Sequence, residues 1–317
     1  MKFFGQTNID FIGSRKIAFT ISGVIILLGI IFLIVSGMKY SIDFTGGVSL
    51  ELDMTPVSAE FGDVAIQDIR DALTSEGIDD AEIQELHDLQ DHRLILVKTK
   101  VSGNEQAETG FTKGDLIKNI LKNKFPGNYK EETFLYQQNE VGPRIGEELK
   151  GKAILAIFWA LLGIIIYIWW RFEFTFGIAA IAALVHDILI TVGIFAIFGK
   201  EISLPVVAAL LTIVGYSLND TIVVFDRIRE DIKKYRKLGY AEIINRSINE
   251  TLSRTIITSL TTFLVVLCLY IFGGSVIHDF AFALLIGVVV GTYSSIFIAS
   301  PILVGYFNSR SKATKRK

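Results

Sequence analysis

Six stretches of this chain are apolar almost without interruption. Between the first and second lies a long segment in which apolar and polar positions alternate instead. The continuous runs are Ile17–Val35, Ala153–Trp170, Phe174–Phe198, Ile202–Phe225, Thr255–Phe272 and Phe280–Phe307. Each is close to or above the ~20 residues that cross a bilayer's hydrocarbon core at a helical rise of about 1.5 Å per residue. They read as six transmembrane helices. The first is longer than the ~7–15 apolar residues of a secretory signal and lacks a small-residue cleavage site, so it is expected to stay as a span.

The interrupting segment, residues 39–150, has the pattern of a soluble α+β domain. Val48–Met54 alternates as a strand, and Ala81–His87 and Arg93–Val101 form a second and third around a turn at Asp88–His92. A helix is expected from a cap at Asp63 through Glu76, with Val64, Ile66, Ile69, Ala72 and Leu73 on its apolar face and Gly77 as its stop. Thr112–Phe125 reads as a second helix that ends before Pro126-Gly127, and Glu131–Gln138 as a last strand. The order β-α-β-β-α-β is that of a ferredoxin-like domain. Glu140–Lys152 is polar with helical potential and leads into the second span.

Charge assigns the sides. Lys2, Arg15 and Lys16 precede the first span, and Arg171 marks the tight turn between the second and third. Arg227, Arg229, Lys233, Lys234, Arg236, Lys237, Arg246 and Arg254 follow the fourth, and Arg310, Lys312, Lys315, Arg316 and Lys317 follow the sixth. With six spans these groups fall on one side, which the preference for cytoplasmic Lys and Arg makes the cytoplasm. Residues 1–16 and the basic tail 308–317 are then cytoplasmic, as is the basic amphipathic loop 226–253. The domain at 39–150 is external. It carries 22 acidic and 12 basic residues, a net of −10, whereas the whole chain has a formal charge of −2. His278-Asp279 falls in a short external turn, where it is expected to be solvated. The mean hydropathy of +0.48 agrees with an integral membrane protein. Cys268 is the one cysteine, so no intrachain disulfide is possible.

The fourth span contains the costliest residue. Asn219-Asp220 interrupts Leu204–Phe225, and an Asp at the centre of a membrane helix costs about 2.5–3.5 kcal/mol. A short carboxylate there cannot reach the headgroups, and a group whose proton affinity depends on its neighbours can load and release a proton. Helical spacing places Thr212, Tyr216, Asp220 and Val223 on one face. Asp220 is a candidate proton carrier, or else a helix-to-helix hydrogen bond. Asn219 is a polar contact between helices or a member of the same path. Arg254, at the start of the fifth span, is at similar depth and offers a charge partner, unless it is only a headgroup anchor. Thr258, Ser259, Thr261 and Thr262 follow it as relay groups or as partners for nearby polar atoms. In the third span His186-Asp187 is a second proton site, a contact to a partner subunit, or a mutually satisfied structural pair. Gly287 and Gly291 have the spacing that permits close helix packing. Phosphate-loop, zinc-protease and nucleophile-elbow motifs are all absent from the sequence, so neither an enzyme, a cofactor, a metal site nor nucleic-acid binding is expected.

Several of these residues match a known family. Ser41-Ile42-Asp43-Phe44-Thr45-Gly46-Gly47 resembles the motif after the first span of SecD and SecF. Gly215–Glu230, with Asn219-Asp220 at its centre, resembles the fourth-span signature on the SecF side, and Arg254–Thr262 resembles the start of the fifth span. Asn8-Ile9-Asp10-Phe11 and Val141-Gly142-Pro143 fit as well. The resemblance covers nearly the whole chain, and the external segment is smaller than is usual for SecD.

This resemblance implies half of a resistance-nodulation-division (RND) type transporter in the bacterial inner membrane, completed to twelve spans by SecD. It further implies association with SecYEG, with YajC and YidC, and with the translocating preprotein. The work would be proton-driven assistance to export after SecA has inserted the chain. Asp220 and Arg254 fall on the positions linked to proton passage. Asp43, Gly46 and Gly47 would couple membrane and external parts, the alternative being a plain turn. Rival readings are a small-molecule exporter half of the same superfamily and a passive assembly scaffold.

Overall fold

The computed structural model describes residues 7–58, 60–87, 93–100 and 112–314. Two compact units divide the chain. One is Tyr40–Leu155, and the other is Met1–Lys39 together with Ala156–Lys317.

The chain begins with helix α1 (Arg15–Ser36) and reaches a single helical turn, α2 (Ile42–Thr45). In the first unit follow β1 (Gly47–Asp53), α3 (Ile66–Ser75), β2 (Glu82–His87), β3 (Arg93–Thr99), α4 (Lys113–Lys124) and β4 (Leu135–Val141). The sheet order is β2-β3-β1-β4 with every pair antiparallel, which is the ferredoxin-like arrangement. Strand alternation explains the core. Val48, Leu50 and Leu52 of β1 and Ile95 and Val97 of β3 join Ile69 and Leu73 of α3 and Ile117 and Leu121 of α4 in one buried cluster. Thr112 caps α4, its hydroxyl accepting from the backbone N–H of Asp115.

Two expectations for this unit shift, and two more cannot be compared. Asp63 does not cap α3, because the helix starts later, behind Ala65, and has no side-chain cap. The last strand starts at Leu135 rather than Glu131, since Thr133 and Phe134 fold back as a turn onto the Lys130 carbonyl and Phe134 is buried in the core. The turn at Asp88–His92 and the end of the third strand at Val101 lie outside the described residues.

The remaining helices are α5 (Pro143–Arg171), α6 (Phe174–Ile197), α7 (Leu204–Lys234), α8 (Tyr240–Phe272), α9 (Gly274–Ser294) and α10 (Ser300–Thr314), the last two joined by a π-turn at Ser295–Ala299. Six helical segments are long and apolar enough to cross a membrane, so this is a multi-pass membrane protein. The helices outrun the apolar stretches. Pro143 suits a first helical position because the N–H it lacks would be unpaired there, and α5 therefore takes in the polar residues before the span. The basic loop between the fourth and fifth spans is helical except around Tyr235–Gly239, because Ile228, Ile232, Ile244 and Ile248 keep helical spacing and pack inward. Likewise α9 starts at Gly274, so His278 and Asp279 stand on a helix. Asp279 pairs with Lys200 at 2.8 Å instead of being merely solvated.

Burial separates inner from outer helices. About half of the apolar windows of α6, α7 and the α9–α10 span is buried, 56%, 50% and 50%, against 17% in α1 and α8 and 6% in α5. The inner helices are therefore the ones that position polar groups away from lipid. The glycines of α9 permit its approach to α7. A Cβ on Gly287 would stand 2.2 Å from Ile213 Cγ1, and one on Gly291 would stand 3.0 Å from Ser217 Cβ.

Candidate functional site: two buried carboxylates in the helix bundle

Asp220 and Asp187 both lie inside the bundle, 2% and 1% exposed. Both are brought there by helical spacing on α7 and α6. On α7, Ser217, Asp220 and Val224 sit at i, i+3 and i+7 and share the buried face.

Asp220 is lightly held. Ser259 of α8 donates to its Oδ2 at 3.1 Å, and Thr292 of α9 donates to Ser259 Oγ at 2.6 Å. Thr292 also stands beside the same carboxyl group, and the charge of Arg254 acts on it. Arg254 itself is exposed and forms no ion pair among the described residues, so it influences Asp220 without clamping it. A carboxyl group with hydroxyl partners and a nearby, unbound cation can change protonation without breaking a salt bridge.

Other candidates fall elsewhere. Asn219 is exposed on the neighbouring face of α7, and Thr212 is exposed too. The Tyr216 hydroxyl is buried, with no hydrogen-bond partner among the described residues. The face expected for Thr212, Tyr216 and Asp220 is thus not a single polar stripe. Within the fourth apolar run the buried polar residues are instead Ser217, Asp220 and Thr221. The Thr258 and Thr262 hydroxyls are taken up by carbonyls of their own helix, Arg254 and Thr255 for the first and Thr258 for the second. Of that cluster, Ser259 is the member that faces Asp220.

Asp187 is densely held. Its Oδ2 accepts from Ser217 of α7 at 2.5 Å and from Ser294 of α9 at 2.8 Å, while its Oδ1 lies 2.9 Å from Nδ1 of His186. The other ring nitrogen of His186 lies 2.9 Å from Ser22 Oγ on α1. Ser22 in turn meets the Tyr293 hydroxyl, which donates to the Ala18 carbonyl at 2.8 Å. Four helices therefore meet at this pair. Sequence reasoning missed Ser22, Ser217, Thr292, Tyr293 and Ser294. The signal available was a small hydroxyl or a tyrosine isolated in an apolar span, where it needs a partner.

The Gly46-Gly47 turn has a steric origin. Gly46 has φ +73 and Gly47 φ +157, and a Cβ on Gly46 would lie 2.7 Å from Pro143 Cα, at the start of α5. Asp43 sits in the turn before them, its N–H donating to Ser41 Oγ at 3.2 Å. At the other end of the chain's first segment, Asn245 and Asn249 of α8 hold the backbone of Ile9, and Asn245 that of Phe11 as well.

Comparison with known proteins gives this arrangement a family. The family model "Protein export membrane protein SecD/SecF, C-terminal" matches residues 120–309, and "SecD/SecF GG Motif" matches residues 31–56. The protein translocase subunit SecF of Desulfurispirillum indicum is 46% identical over 301 residues, spanning 93% of this chain and 91% of that protein. The SecF subunit of Thermodesulfovibrio yellowstonii is 45% identical over 305 residues, spanning 95% of each. The crystal structure of SecDF, a translocon-associated membrane protein from Thermus thermophilus, is similar with a TM-score of 0.81 at 38% identity. It matches 95% of this chain, which spans only 39% of that longer one. A SecDF crystal structure in a super-membrane-facing form matches with a TM-score of 0.69, again at 38% identity. Together with six spans, a Gly-Gly turn and a ferredoxin-like domain, these matches show that the chain belongs to the SecD/SecF family, on its SecF side.

Proposed function

We propose that this chain is the SecF half of a SecDF-type complex that uses the proton motive force to help preproteins through SecYEG after SecA-driven insertion. It sits in the bacterial inner membrane with both termini in the cytoplasm. A SecD-type subunit completes the transporter, since the chain spans 39% of the solved SecDF chain. YajC and YidC are further partners expected of such a complex. The chain performs no bond-making chemistry of its own and needs no cofactor.

One observation carries the reading: Asp220 is buried within the fourth apolar run, with the Ser259 hydroxyl at 3.1 Å, the Thr292 hydroxyl beside it and a cation that influences it without clamping it. Such a carboxyl group is expensive unless it is used. Unequal similarity to two SecDF structures at equal identity supports an architecture with more than one arrangement. The energy suffices to switch between them. One charge moved through 100 mV is worth about 2.3 kcal/mol, and about 5.5 kcal/mol turns a 1:99 equilibrium into 99:1, so a few protons are enough. The test is Asp220→Asn in export-active inverted vesicles. Loss of the gradient-dependent part of export, with the ATP-driven part retained, is expected. Undiminished gradient dependence would overturn the reading.

A further inference from the structure

The contacts around the second carboxylate constrain how many protons it shares with His186. Along the path from Asp187 to Ala18 there are four contacts: Asp187 Oδ1 to His186 Nδ1, His186 Nε2 to Ser22 Oγ, Ser22 Oγ to Tyr293 Oη, and Tyr293 Oη to the Ala18 carbonyl. Each needs one proton between its two heavy atoms. Tyr293 and Ser22 supply one each. Ser217 and Ser294 stand at Asp187 Oδ2, off this path, and Ser294 also reaches the Gly291 carbonyl at 3.1 Å, so neither adds a proton to it.

The last contact fixes the direction of the rest. A carbonyl cannot donate, so the Tyr293 proton goes to Ala18. Ser22 then donates to Tyr293, and His186 must donate to Ser22 through Nε2. The fourth proton lies between Nδ1 and Oδ1. The His186–Asp187 pair therefore holds two exchangeable protons, one more than a neutral imidazole beside a carboxylate. With that extra proton the pair carries no net charge, and a net charge at membrane depth is expensive.

We infer that His186–Asp187 is a second proton-binding site, separate from Asp220, whose proton sets how α1 is clasped to α7 and α9. When the proton leaves, three protons remain for four contacts. His186 becomes the Nδ1–H tautomer and donates to Asp187, Ser22 turns to donate to Nε2, and the Tyr293 hydroxyl is shared between Ser22 and Ala18. The groups facing the pair are Ser22 from α1, Ser217 from α7, and Tyr293 and Ser294 from α9. Among the described residues no Lys, Arg or other carboxylate is bonded to it.

The placement makes the clasp consequential. α1 is the helix that leads directly into the unit holding the sheet. It is seated tightly on α6, where a Cβ on Gly29 would stand 2.6 Å from Gly193 Cα. Ser217 is one turn from Asp220 on α7, and Thr292 is two residues from Ser294 on α9. The two carboxylates therefore share two helices. Use of the clasp in export rests on the proton-driven reading above, whereas its proton binding does not.

The test is the 15N spectrum of His186 in the full chain, labelled at histidine and held with its SecD-type partner in lipid nanodiscs between about pH 5 and 9. His186→Gln assigns the signal. The expected result is a protonated Nε2 at low pH and a change to the Nδ1–H form at high pH. Tyr293→Phe removes the acceptor that turns Ser22 away from the ring, so the Nδ1–H form is expected throughout. Asp220→Asn should leave the switch in place, which separates failure of this inference from failure of the Asp220 reading. An Nδ1–H form at every pH in the wild type, or a switch unaffected by Tyr293→Phe, would overturn the proposal.

Discussion

Asp187 and Asp220 are equally buried and differently wired. Asp187 takes hydroxyls from two neighbouring helices and an imidazole that reaches a third. Asp220 takes the hydroxyls of Ser259 and Thr292 and no ion pair among the described residues, with exposed Asn219 and Arg254 on the helix surfaces beside it. The difference teaches that burial alone does not identify a working carboxylate. A densely held group ties any change in its proton to the packing of the helices that hold it. A lightly held group can change its proton with little repacking, which is the property the proposed function asks of Asp220.

This contrast can be broken by substitution. The largest effect expected is on export: Asp220→Asn should reduce the gradient-dependent component by on the order of tenfold or more, the low end of what a positioned proton-transfer group contributes. Initial rates in vesicles with and without a gradient check this. Stability should show the reverse order. Asp187→Ala leaves two buried hydroxyls and a histidine without their partner and is expected to cost about 3–5 kcal/mol, as does breaking a buried pair. Asp220→Asn keeps an acceptor for Ser259 and should change stability by under about 1 kcal/mol. Thermal unfolding in mild detergent measures both, and equal losses would dissolve the distinction. Arg254→Gln should lower gradient-dependent export without lowering the unfolding temperature, because the side chain is exposed and forms no ion pair among the described residues. Arg254→Lys should restore part of the activity.

The ferredoxin-like domain, a separate unit, sharpens the contrast with the smallest effect. Burial works against ionisation of Asp80, but hydrogen bonds from Thr99 and Lys100 and the charge of Lys113 outweigh it and hold the carboxyl below its ordinary range. Lys118 does the same for Asp115, helped by Thr112. Groups depressed in this way stabilise the fold above their unfolded pKa and lose that contribution as pH falls through the folded value. Hydrogen exchange of β3 and α4 in the full chain should therefore be flat from pH 7 to about pH 5, after correction for intrinsic rates, and rise below about pH 4.

Much of the fold was legible in the residues. The six spans and the β-α-β-β-α-β order follow from periodicity, because continuous apolar runs and alternation leave different marks. Asp220 announced itself by its cost. The wiring around it was not legible, since it depends on which helix faces which. Ser259 could not be told from Thr258 until α8 was set against α7, and Asn219 lies beside Asp220 in sequence but about 100° away around the helix. Helix ends were also hidden. The polar residues after Phe225 look like a loop by hydropathy, yet Ile228, Ile232, Ile244 and Ile248 keep both helices going inward. The glycine spacing in α9 did carry over, because a missing Cβ has one strong use in a tight helix crossing.

The central claim is that Asp220 carries the gradient's work. The most direct measurement is proton uptake by proteoliposomes holding this chain with a SecD-type partner and the SecYEG channel under an imposed gradient, during translocation of a preprotein. Wild-type protein should show uptake that rises with translocation, and Asp220→Asn should reduce it to the leak of protein-free vesicles. Uptake by Asp220→Asn equal to that of the wild type would contradict the account.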